Sequence, residues 1–176
     1  LLPLLLALAL PTRAEISVRD DTGQEVRLKA PARRIVTLAP HAAETLFAAG
    51  AGDRLVATVE YSDYPEAARR LPRVGSYARI DLEALAALKP DLVIAWQSGN
   101  PPAQVDRLRA LGLTVFVTQP NQIEDVAREI RQFGRLAGSE PVAEGAADRF
   151  LQRLHGLRRN YSARPSVRVF YQIWKA

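Results

Sequence analysis

The chain has 176 residues, 48% of them hydrophobic and 24% charged, a composition that excludes a disordered or fibrous protein and allows one domain or little more. The net charge of +5 comes from scattered Arg, with no basic stripe interleaved with aromatics, so the balance argues against nucleic-acid binding. With no Cys and two His, disulfide frameworks and zinc-type ligand sets fall away as well.

The first segment, Leu1 to Leu10, is apolar but too short to span a bilayer. Thr12-Arg13-Ala14 follows, with small residues at the −3 and −1 positions of a cut after Ala14. This predicts a truncated secretory signal peptide over 1–14 and an exported, periplasmic protein. The missing Cys at the cut argues against a lipid anchor.

Two short alternating runs, Ile16 to Val18 and Glu25 to Leu28, flank Asp20-Asp21-Thr22-Gly23 and predict a β-hairpin. Strands are expected at Arg34 to Leu38, Leu55 to Val59, Leu92 to Ala95 and Thr114 to Val117. Between them lie helices at His41 to Ala49, Leu82 to Leu88 (capped by Asp81) and Ala103 to Leu111, plus a short one begun by Pro65. A further helix, Gln122 to Ala137, ends on Gly138 as its C′ residue. The strands are apolar throughout rather than at alternate positions. That pattern predicts an α/β fold with a mostly parallel sheet covered on both faces.

The last long element is predicted from Ser139 to Asn160. Val142, Ala146, Phe150, Leu154, Leu157 and Tyr161 form one apolar stripe at helical period. Ser139 is the expected N-cap, and Pro141 suits the first turn. A new strand is expected from Val167 to Gln172. The order suggests a Rossmann-like N-terminal lobe (15–138), a spine helix (139–161) and the start of a second, largely missing lobe (162–176).

In an open parallel sheet, ligands bind beyond the carboxyl ends of the strands. Those ends are expected to deliver Pro40 and His41, then Glu60, Tyr61 and Tyr64, then Tyr77, Trp96 and finally Trp174. Of the Tyr and Trp residues only Tyr161 and Tyr171 lie elsewhere. Aromatics gathered at one edge would form a flat wall suited to a bulky, ring-rich small molecule. A Tyr or His axial ligand to haem remains an alternative; His155 reads as a surface residue, and Asp63 with Glu60 as turn residues. No nucleophile–base pair, phosphate loop or dinucleotide fingerprint is present, which argues against an exported enzyme and leaves no catalytic or metal residues to name.

Several stretches carry a resemblance: Arg34-Ile35-Val36-Thr37-Leu38-Ala39-Pro40, Glu44 with Leu46 to Gly50, Tyr61-Ser62-Asp63-Tyr64-Pro65, Asp81-Leu82-Glu83, Lys89-Pro90-Asp91 through Trp96, and Arg168-Val169-Phe170. From about Arg33 onward the chain resembles the BtuF-like family, the periplasmic cobalamin-binding proteins of vitamin B12 ABC importers, within the helical-backbone binding-protein superfamily. The resemblance implies two Rossmann-like lobes joined by a rigid helix, with cobalamin as transported ligand between them and no catalytic cofactor. It implies ligand contacts at Tyr61, Tyr77 and Trp96, and a docking carboxylate, Glu83, for the dimeric permease of the inner membrane; the binding protein itself would be a monomer. Tyr77 stands where a Trp is expected, which keeps haem or an iron–siderophore open as the alternative ligand.

Overall fold

The computed structural model describes residues 15–172; the expected signal peptide and Trp174 lie outside them. The hairpin forms as expected, β1 (Ile16–Arg19) pairing antiparallel with β2 (Glu25–Leu28). Asp20 holds its turn, its Oδ1 accepting from the N–H groups of Thr22 and Gln24 at 2.9 Å each, while Gly23 supplies the positive φ of 86°. Four strands make the second sheet: β3 (Ile35–Thr37), β4 (Leu55–Ala57), β5 (Leu92–Trp96) and β6 (Val115–Thr118). They are all parallel, in the order β4-β3-β5-β6.

Five helices follow the expected places: α1 (Pro40–Ala48), α2 (Glu66–Arg69), α3 (Leu82–Ala87), α4 (Pro102–Ala110) and α5 (Asp125–Ala137). α1 and α5 cover one face of the sheet, burying Ile35, Ile94, Phe116 and Phe133. α3 and α4 cover the other, over Val36, Leu85, Val93 and Leu108. Burial on both faces is why the strands carry no polar alternation. Asp91 of the Lys89-Pro90-Asp91 turn accepts from the backbone N–H groups of Arg33 (2.8 Å) and Arg34 (3.0 Å), fixing the start of β3 beside β5.

α5 begins at Asp125 rather than Gln122, because the Asp125 carboxylate accepts from the N–H groups of Asn121 (2.8 Å) and Gln122 (2.9 Å) and holds them in a turn. Its end has both hydrogen bonds of a Schellman motif. Ser139 N–H donates to Gly134 O (2.8 Å) and Gly138 N–H to Arg135 O (3.3 Å), with Gly138 at φ 69°.

The 22-residue α6 (Glu140–Tyr161) is continuous and about 33 Å long. Three expectations about this region need correction. Ser139 does hold the N-cap position, but its hydroxyl makes no cap bond; it donates instead to Ala49 O (2.7 Å) and ties α6 to the end of α1. The expected stripe packs only in its middle: Ala146 and Phe150 lie part-buried against the core, Val142, Leu157 and Tyr161 are exposed, and the fully buried positions are Ala143 and Ala147. The reason is closeness to α5: a Cβ added at Gly134 would lie 2.2 Å from the Ala143 Cβ, so only small residues fit between the two axes. Finally, Val167–Gln172 forms no strand; among the described residues no ladder includes them, and 165–172 are exposed throughout. A strand needs a second strand to pair with, and among the described residues no sheet includes this segment.

Candidate functional site

Reversal of strand order marks the ligand crevice of an open α/β sheet. β3 is followed by its neighbour β4 on one side, and the chain then crosses to β5 on the other. The reversal therefore falls between the carboxyl ends of β3 and β5, where Pro40 and His41 leave one strand and Trp96 ends the other. A cavity of about 590 Å³ opens there, lined by Pro40, His41, Glu44, Tyr61, Tyr77 and Trp96.

Three aromatic rings form its floor. The His41 and Trp96 centroids lie 5.2 Å apart at 82°, an edge-to-face contact, and Tyr77 stands tilted over Trp96 at 6.5 Å. Gly99 allows the Trp96 pose, since a Cβ there would sit 1.8 Å from the indole Cε3. Asn100, 3% exposed, is the pin. Its Oδ1 accepts from the Trp96 N–H (2.7 Å), and its Nδ2 donates to the carbonyls of Leu38 (2.9 Å) and Tyr77 (2.8 Å). One side chain thus joins the ends of β3 and β5 to the loop that carries Tyr77. Gln104 of α4 holds the rest of that loop, accepting from Ile80 N–H (2.9 Å) and donating to Ala78 O (3.1 Å). Sequence reasoning passed over Asn100 and Gln104; Asn100, two residues before a Pro-initiated helix, reads there as an ordinary turn residue.

Tyr61 reaches the cavity from the loop after β4 at φ 65° and stays 72% exposed. Behind it a buried hydroxyl chain anchors the loop: Thr37 donates to Thr58 (2.9 Å), and Thr58 shares a hydrogen bond with Ser62 (2.8 Å). Arg73 donates to the carbonyls of Ser62 and Ala68, 3.0 Å each, and draws Asp63 to within 4.0 Å. Tyr64, expected at the same edge, does not line the cavity and is 69% exposed. Glu60 lines a neighbouring polar depression with Arg79 and Glu83.

Burial sets the charges. It lowers the His41 pKa, keeping the imidazole neutral, and its Nε2 is buried with no hydrogen-bond partner among the described residues. Partial burial raises the Glu44 pKa. Among the described residues no Lys or Arg lines the cavity, and no cluster of three or more His, Cys, Asp or Glu could hold a metal ion. His155 lies exposed on α6, as expected. Glu83 is exposed in the first turn of α3, beyond the Asp81 carboxylate that caps Ala84 N–H at 2.9 Å.

The described residues thus combine an aromatic crevice at the switch point with a continuous 22-residue helix that follows α5. The chain belongs to the periplasmic binding protein family, whose model matches residues 35–174. It is 45% identical over 143 residues to the vitamin B12-binding protein of Vibrio cholerae, covering 81% of this chain and 52% of that protein. The crystal structure of the periplasmic vitamin B12 binding protein BtuF of Vibrio cholerae superposes with TM-score 0.73 at 45% identity, over 76% of this chain and 52% of that one. A periplasmic heme binding protein from Pseudomonas aeruginosa superposes at 0.69 with 26% identity, over 75% and 48%. The chain spans about half the length of the curated relatives it matches.

Proposed function

We propose that the protein is a periplasmic binding protein that captures cobalamin and delivers it to an ABC-transporter permease. The observation that carries this reading is the cavity itself: a cation-free aromatic crevice at the switch point, in a chain 45% identical to a protein named for vitamin B12 binding. A corrin ring is broad and apolar on its faces and carries amides on its rim. Trp96 and Tyr77 cover a face, while the Tyr61 hydroxyl and loop backbone reach the rim. The other half of the ligand's surroundings comes from a second lobe that begins after α6, matching the greater length of the relatives. α6 joins the lobes as one unbroken helix, so opening and closing is small compared with proteins hinged on strands. Residues 1–14 direct export and are cleaved after Ala14.

The test is calorimetric titration of the full-length protein with cyanocobalamin. Saturable binding is expected, weakened at least tenfold in Trp96→Ala with the fold retained, as for loss of a central aromatic anchor. Unchanged binding would remove the aromatic floor from the reading. A haem-binding protein is the second reading, favoured by Tyr77 in the cavity and by the heme-binding structure at TM-score 0.69. Glu83 is the docking carboxylate, exposed and not among the residues that line the aromatic cavity. Glu83→Ala should slow uptake while leaving cobalamin affinity intact, as expected when one partner of an interfacial charge pair is removed.

A further inference from the structure

Among the described residues Glu44 is the one side chain lining the cavity that carries a formal charge at neutral pH. It lies one turn after His41 on α1, so both side chains face the same way into the crevice. Among the described residues its carboxylate takes part in no hydrogen bond or ion pair, and the helix around it is packed by Ala42, Ala43 and Leu46. Desolvation is the cause of its raised pKa, with no cation nearby to offset the charge. The other titratable groups of the wall are His41, held neutral, and the phenols of Tyr61 and Tyr77.

A lone carboxylate on an aromatic wall discriminates by charge. A carboxamide N–H brought against it gains a charge-assisted hydrogen bond. A ligand carboxylate in the same place meets a like charge in a partly desolvated site, and selection by such repulsion is as effective as selection by attraction. We propose that Glu44 is a specificity determinant that selects rings rimmed with neutral carboxamides and rejects rings rimmed with carboxylates. The inference rests on the reading of the crevice as a corrinoid site and deepens it by naming the group on the ligand that is read.

The experiment compares cyanocobalamin with its separated monocarboxylate isomers, in each of which one rim propionamide is hydrolysed to a propionate. Each is titrated calorimetrically at pH 8 into the full-length protein. At least one isomer is expected to bind the wild type roughly tenfold more weakly than the parent. Glu44→Gln should bring that isomer to within about threefold of the parent, and Glu44→Lys should reverse the order. Because Glu44 is exposed and has no polar partner among the described residues, neither substitution removes a described contact that holds the fold. Ratios for every isomer that stay the same in both variants overturn the inference while leaving the corrinoid reading in place. So does a wild type that binds every isomer as tightly as the parent. A wild type that fails to bind cyanocobalamin at all overturns the corrinoid reading and the inference with it.

Discussion

The two walls of the crevice are built in opposite ways. On one side Trp96 and Tyr77 are locked: rings in contact, backbones joined by the buried Asn100, and Gly99 leaving room for the indole. On the other side Tyr61 stands on a left-handed backbone, 72% exposed, with only its loop's base anchored by Thr58 and Ser62. The difference teaches that burial of polar pins, rather than of the aromatics themselves, decides which part of a binding surface is preformed.

The largest effect should come from pulling the pin. Asn100→Ala leaves the Trp96 N–H and the Leu38 and Tyr77 carbonyls without their partner, a loss of about 3 kcal/mol in stability by denaturant titration. A loss below roughly 1 kcal/mol would mean the locked wall is held by ring packing alone.

Support for the same wall should depend on pH. Thr118, the register partner of Trp96 on β6, donates its hydroxyl to Glu129 on α5, and the Glu129 side chain is 1% exposed. Burial first, then the charge of Asp21, raises its pKa from 4.5 to about 7. The folded state therefore keeps a proton that the unfolded state releases above pH 4.5. The associated stability is fully present below that pH and is lost as pH rises through about 7, a change of roughly 2–3 kcal/mol. Urea midpoints at pH 5 and 8 should differ in that direction, and Glu129→Gln should flatten the difference. A midpoint that rises with pH would contradict a buried, protonated Glu129.

Smaller effects separate the walls by affinity. Gly99→Val would push a side chain into the indole and displace Trp96, weakening cobalamin binding by about tenfold. Tyr61→Ala should also weaken binding but leave stability within about 0.5 kcal/mol, because the ring is exposed. Equal stability losses at both sites would erase the contrast between the walls. Tyr77→Phe should change cobalamin affinity least, within about twofold, since the ring face remains. If Tyr77 instead ligates haem iron, the same change should abolish the iron–phenolate absorption band and most haem affinity.

By itself the sequence determined the order of elements, the parallel sheet, and which edge carries chemistry. Apolar runs bounded by Gly, Pro and Asp report local geometry, and strand direction then forces Pro40, Tyr61 and Trp96 to one end. The family was legible in the same stretches, and residues 35–174 match its model. Only the tertiary structure decided that Asn100 and Gln104 hold the crevice, that Glu44 shares it, and that Tyr64 does not. These depend on hydrogen bonds between residues 23 to 62 positions apart and on how each loop is anchored, which no local pattern encodes. α6 shows the same division. Its helical period was visible in the sequence, yet its buried face was set by a neighbour. Gly134 lets α5 approach so closely that Ala143 and Ala147 pack inward, and the larger Val142, Leu157 and Tyr161 are left outside.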